Sequence, residues 1–174
     1  MLFKSLFDIK LLFVVLLFLA PGICRAEEDD DSGDDALRIL ARQGNVKAQL
    51  KLADEYFYGK NRPQNYNIAV RWYRKAAEQN NPIAEFNLAI CYERGIGIRK
   101  SRYHAFRYYK MAAESGIKEA KFNLALCYAI GIPPDSSTDD RTPAVFADFA
   151  KAEALLKELG DAGFMPAIRE LASL

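Results

Sequence analysis

The chain offers few groups with which to do chemistry. Its only histidine, His104, follows Ser101 by three residues, so the first arrangement to weigh is a Ser101 or Cys91 nucleophile with His104 as base. Ser101, however, stands just before a helical apolar pattern, where a hydroxyl caps free backbone N–H groups, and that placement alone brings the two residues together. Ser115 and Lys118 form an SxxK pair, an acylation motif whose serine opens a buried helix beside SDN-type and KTG-type partners. Neither partner occurs in the chain. Beyond residue 26 the cysteines are Cys91 and Cys127, with no CxxC spacing and no metal-ligand pattern. Gly95 and Gly97 form a lone Gly-x-Gly with no strand before it, which reads as a turn rather than a phosphate cradle. The expectation is therefore no catalytic residue, no metal and no cofactor.

The elements that position these residues come from a repeat. AEFNLAICYERG at 84–95 and AKFNLALCYAIG at 120–131 agree at eight of twelve positions, at an offset of 36. The register extends: Ala48, Leu52, Ala53, Tyr56 and Gly59 recur as Ala84, Leu88, Ala89, Tyr92 and Gly95, then as Ala120, Leu124, Ala125, Tyr128 and Gly131. A second set, Ala69, Trp72, Tyr73, Ala76 and Ala77, matches Ala105, Tyr108, Tyr109, Ala112 and Ala113. It returns after about eleven extra residues as Ala152, Leu155, Leu156, Leu159 and Gly160. Spacings of i, i+3, i+4 and i+7 are helical, and strand alternation is absent. Each unit is thus a helix pair. Helix A is predicted over 47–58, 83–94 and 119–130, and helix B over 66–79, 102–115 and 143–159.

Asn65, Ser101 and Thr142 stand where helix B needs an N-cap, with Pro143 at a favoured first position. Gly44, Asn80 and Gly116 share the position after helix B where a left-handed cap is expected. Leu37, Leu40 and Ala41 place a leading helix B at 34–43, and Ala167 and Leu171 begin a closing helix. Such pairs bury their apolar faces only by stacking, so the array is expected to form a continuous core. Cys91 and Cys127 occupy one equivalent position. Neighbouring helices run ~8–10 Å apart and a disulfide needs Cα atoms within ~7 Å, so both are expected reduced and largely buried.

The pattern of Ala, then Leu-small-x-x-Tyr-x-x-Gly, then Ala-x-x-Trp/Tyr-Tyr-x-x-Ala-Ala resembles the Sel1-like repeat, a relative of the tetratricopeptide repeat. LAICYERGIGI at 88–98 followed by AFRYYKMAAESG at 105–116 is its fullest form here. GKNRPQN at 59–65 lacks the family's second glycine, and the third unit replaces it with GIPP and an insertion at 132–142. The resemblance implies an all-α, right-handed α-solenoid of antiparallel helix pairs. A half-unit at 36–47, units at 48–83, 84–119 and 120–166 and a capping half-unit at 167–174 would make it up. It also implies that helix A residues line an inner groove. Groove candidates are Lys47, Lys51, Asp54 and Tyr58, then Asn87 and Arg94, then Glu119 and Asn123, with Lys51, Asn87 and Asn123 forming a ladder at one repeat position. A basic loop adds Arg99, Lys100 and Arg102 beside Arg94. The function implied is a protein–protein interaction module or scaffold with a protein partner and no enzymatic activity. The alternative is a hydrolase or penicillin-interacting enzyme of the cysteine-rich Sel1-like type.

The chain has 174 residues, 51% of them apolar, enough for one sizeable core. Residues 1–26 read as a secretory signal peptide: Lys4 and Lys10, the apolar run LLFVVLLFLA at 11–20, then Pro21, Gly22 and CRA at 24–26. The run is about half of the ~20 residues a membrane-spanning helix needs, so membrane contact is expected only through an uncleaved signal sequence. Residues 27–35, EEDDDSGDD, hold seven acids in nine and read as a disordered acidic segment. From residue 36 the charge is polarised, with +10 over 36–121 and −4 over 122–174. An exported, periplasmic or extracellular protein is expected. Export argues against a nucleic-acid partner despite the basic loop.

Overall fold

The computed structural model describes residues 35–133 and 144–171. The signal-peptide reading of 1–26, the acidic segment up to residue 34 and most of the insertion lie outside these residues. Among the described residues eight α-helices follow one another: α1 Ala36–Arg42, α2 Val46–Tyr58, α3 Tyr66–Ala77, α4 Pro82–Arg94, α5 Arg102–Glu114, α6 Lys118–Ile130, α7 Phe149–Asp161 and α8 Met165–Leu171. Every substantial contact between these eight helices joins neighbours in the chain. The described residues form an all-α solenoid, as the periodicity predicts. None of their helices is long and apolar enough to cross a membrane.

The columns that repeat in sequence are the ones that pack. Leu52, Ala53, Leu88, Ala89 and Ala125 are fully buried, and Tyr73 and Tyr109 fill the larger gaps between helices. Side-chain size follows the separation to be filled: alanine where helices approach, an aromatic ring where they diverge. Leu40 departs from the expected core, at 45% exposure. Its equivalents Ala76 and Ala112 are buried, but no described helix precedes α1 to cover that face.

Helix ends follow the polar punctuation. Asn65 and Ser101 cap α3 and α5, as the sequence predicts, and Asn45 and Asn81 cap α2 and α4 in the same way. Gly44, Asn80, Gly116 and Gly163 all have positive φ after a helix B. Asp35, counted in sequence with the acidic segment, is instead the N-cap of α1 and an ion-pair partner of Arg62. Arg62 also holds Glu55 at 2.8 Å, so a charge cluster secures the loop of unit 1 that lacks the second glycine.

The third helix B corrects the sequence reading. It begins after Asp148, whose carboxylate accepts the Lys151 N–H at 3.0 Å, and not after Thr142. The reason lies in the backbone. In each unit the N–H of the cap residue donates to the tyrosine carbonyl of the preceding helix A: Asn65 to Tyr56 and Ser101 to Tyr92 at 2.9 Å, Asp148 to Tyr128 at 2.8 Å. Ile132 and Val145 exchange two backbone hydrogen bonds of 2.7 and 2.8 Å, which closes the base of the insertion and returns the chain to register.

Gly97 explains the second glycine of unit 2. Its φ is +65°, and a Cβ there would lie 2.3 Å from the Tyr66 carbonyl oxygen of the previous unit. Gly97→Ala is expected to cost about 1–3 kcal/mol through this backbone collision. Gly116→Ala has a similar backbone hand and nothing within 4 Å, so only the left-handed penalty of about 1 kcal/mol should appear. Equal losses in urea unfolding would contradict the close approach.

Glu85 sits at the repeat position of Gln49. Gln49 donates its amide to the Ala41 carbonyl at 3.0 Å and accepts from Gln79 at 2.8 Å. Glu85 is 2% exposed and its Oε2 has no hydrogen-bond partner. Burial, reinforced by the Glu114 carboxylate, raises its pKa. Its contribution to stability is thus complete below the unfolded value of ~4.3 and is lost as pH rises through the folded value. Glu85→Gln is expected to stabilise the protein by about 1–3 kcal/mol near neutral pH. The gain should shrink toward zero near pH ~4. Urea melts at both pH values check this, and a pH-independent gain, or a loss, would contradict it.

Candidate functional site

The A-helix positions left exposed or half-buried include four repeating columns. In chain order they read Lys47, Ile83, Glu119; Lys51, Asn87, Asn123; Asp54, Ile90, Leu126; and Tyr58, Arg94, Ile130. Lys47, Lys51, Tyr58, Arg94 and Glu119 are exposed, whereas Asp54, Asn87 and Asn123 are half-buried. Asp54 also serves the interior, because its carboxylate accepts the Tyr73 hydroxyl at 2.6 Å. Asn123 likewise has a packing role, since its amide hydrogen-bonds the Tyr109 hydroxyl. Both groove candidates therefore also serve the core.

The fourth column changes chemistry along the array, from a phenol at 60% exposure, through a guanidinium, to an aliphatic side chain at 75% exposure. At the junction of units 2 and 3 it opens into a cleft of about 550 Å³. Three elements contribute: Glu93 and Arg94 from the end of α4, Lys100 and Arg102 around the start of α5, and Asn123, Leu126, Cys127 and Ile130 from α6. Arg99, the remaining member of the basic loop, is exposed but does not line it. Glu93 accepts the Tyr109 hydroxyl at 2.9 Å, and burial followed by this carboxylate raises the Tyr109 pKa. Among the described residues Arg94, Lys100 and Arg102 have no ion-pair partner. The cleft therefore joins a cationic rim to an apolar wall. Ile130 and Leu126 were not singled out in sequence, although they stand 36 residues after Arg94 and Ile90 in the same columns.

The residues weighed for catalysis are occupied structurally. Ser101 is 3% exposed; its Oγ lies 2.8 Å from His104 Nδ1 and accepts the His104 backbone N–H at 3.3 Å. The imidazole stacks on Tyr92, with centroids 5.0 Å apart. Ser115 is the exposed C-cap of α5 and Lys118 opens α6, so the SxxK pair spans the turn between units, with its serine at the wrong end of a helix for that motif. Cys91 and Cys127 are both free thiols, with Cys91 buried and Cys127 only half-buried on the cleft wall. Burial pushes each up to about 11. Among the described residues no group of His, Cys, Asp and Glu side chains could hold a metal ion.

Residues 46–81, 82–117 and 118–138 match the family model of the Sel1 repeat. Among solved structures the chain is similar to a protective antigen present in uropathogenic Escherichia coli strains, displaying an SLR fold, with 26% identity and a TM-score of 0.67. That match covers 78% of this chain and 27% of the antigen, so the chain spans about a quarter of the antigen's length. It is also similar to a Sel1 repeat protein from Oxalobacter formigenes, with 28% identity and a TM-score of 0.65, over 79% of this chain and 96% of that one. No curated protein gives a match.

The thiols give a direct check on the packing around the cleft. A thiol with its pKa near 11 holds roughly a thousandth of its population as thiolate near pH 8. In protein beginning at Glu27, neither Cys91 nor Cys127 should react with Ellman's reagent within minutes, and both should react once guanidinium unfolds the chain. A fast thiol in the native protein, or an intact mass showing a 91–127 disulfide, would contradict the geometry.

Proposed function

Because the chain belongs to the Sel1-repeat family, we propose that it is an exported interaction module that holds a protein partner in the groove lined by its A helices. Solenoids of this family are generally protein-interaction modules. The observation that carries the reading is the set of side chains at 47, 51, 58, 94, 119 and 130, which stay exposed while the columns that begin at Ala48, Leu52 and Ala53 are buried in all three units. Charge, amide and aliphatic groups succeed one another along these columns, which is what an extended polypeptide needs for recognition.

Export rests on the layout of residues 1–26, with its basic start, short apolar run and small residues before position 27. A secretory destination, periplasmic or extracellular, makes nucleic acid a poor partner for the basic loop and favours an anionic protein surface. No cofactor is required by this reading, and the groove works by shape, charge and hydrogen bonding.

The combined change Lys51→Ala, Asn87→Ala and Asn123→Ala tests it. The variant is expected to keep its helical circular dichroism, because none of the three is fully buried, yet to lose a partner that crosslinks to the unaltered protein in its native compartment. Undiminished partner retention by a folded triple variant would overturn the groove as the binding face.

A further inference from the structure

We propose that the cleft between units 2 and 3 binds an extended acidic segment carrying a large aliphatic or aromatic side chain among its carboxylates. The proposal rests on the groove reading above and adds the chemistry of the occupant. One rim holds Arg94, Lys100 and Arg102, which have no ion-pair partner among the described residues. Among the described lining residues the one acid, Glu93, accepts the Tyr109 hydroxyl and offsets one of the three cations, so the described rim keeps a net positive charge. Ile130, at 75% exposure, and Leu126 form the facing wall.

Each half of this surface excludes a simpler ligand. A small anion would satisfy the cations and leave Ile130 in water, while an apolar molecule would leave the net positive charge of the described rim unanswered. A segment with both features satisfies both walls at once, and guanidinium groups suit carboxylates because they bind them in a fork. The volume of about 550 Å³ lies within the usual range for ligand clefts. The chain's own acidic segment, EEDDDSGDD at 27–35, has no apolar side chain with which to use the wall.

Fluorescence anisotropy on protein beginning at Glu27 tests the assignment. The probes are a short labelled peptide of aspartates and glutamates around a Leu-Phe pair, its counterpart with two serines in place of that pair, and a labelled copy of residues 27–35. The Leu-Phe peptide is expected to bind at least about tenfold more tightly than either control. Arg102→Glu and Ile130→Ser should each weaken it roughly tenfold. Both sites are exposed, and an acid in the first turn of α5 favours the helix, so both variants should fold. Equal binding of the serine peptide or of residues 27–35 would reduce the cleft to a charge patch and overturn the proposal, as would an unaltered affinity in either variant. If Arg102→Glu and Ile130→Ser retain the native partner while the Lys51, Asn87 and Asn123 triple variant loses it, the groove reading stands and the cleft assignment falls. If only the triple variant is silent, the cleft stands without the wider groove.

Discussion

The structure depends on the close approach of each A helix to its neighbours, made possible by Ala53, Ala89 and Ala125, all at 0% exposure. A lone helix pair would leave one apolar face in water, so each unit is stable only through the units beside it. Because the packed columns must match from unit to unit, the chain repeats itself at those positions. Even one added methylene at such an alanine would cost about 1–3 kcal/mol in displaced neighbours.

The same constraint sets where function can reside. The alanine and leucine columns that pack helix on helix stay constant, as at Leu52, Leu88 and Leu124, so most of the chemical variation falls to the columns that face the groove. Tyr58, Arg94 and Ile130 share one position in three units and carry three different chemistries. The cleft arises where this variation coincides with the basic loop before α5 and with the disturbed exit of α6, whose Gly131 leads into the Ile132–Val145 bridge rather than into the left-handed cap of Gly59 and Gly95. Two internal polar pairs, Tyr73 with Asp54 and Tyr109 with Glu93, tie the core to the groove floor. They join equivalent tyrosines to acids one turn apart, so the two junctions present different surfaces.

Much of this was legible in sequence because the determinants are local. Asn65 and Ser101 announce helix starts, Gly44, Asn80 and Gly116 announce ends, and the 36-residue register identifies the core. The reading failed where a local signal competed with the register. Thr142 followed by Pro143 looks like a helix start, but stepping from Ser101 by the 36-residue period plus the eleven-residue insertion leads to Asp148, the residue that accepts the capping bond and donates to Tyr128. Leu40 failed because its cover would come from a helix before α1, and none is among the described residues. The cleft was only half legible: its cations lie close in sequence, but their meeting with Leu126 and Ile130 depends on how one unit turns onto the next. Glu93 gave no repeat signal, because its equivalents are Phe57 and Ala129.

The central claim is that recognition belongs to the A-helix face. A photo-crosslinking scan tests it most directly, with p-benzoylphenylalanine placed in turn at Asn87, Asn123 and Ile130 and, as exposed B-helix controls, at Lys75, Arg107 and Lys157. The account predicts one shared partner adduct from the three groove positions and none from the controls. Adducts arising from the B-helix positions instead, or equally from both faces, would contradict it.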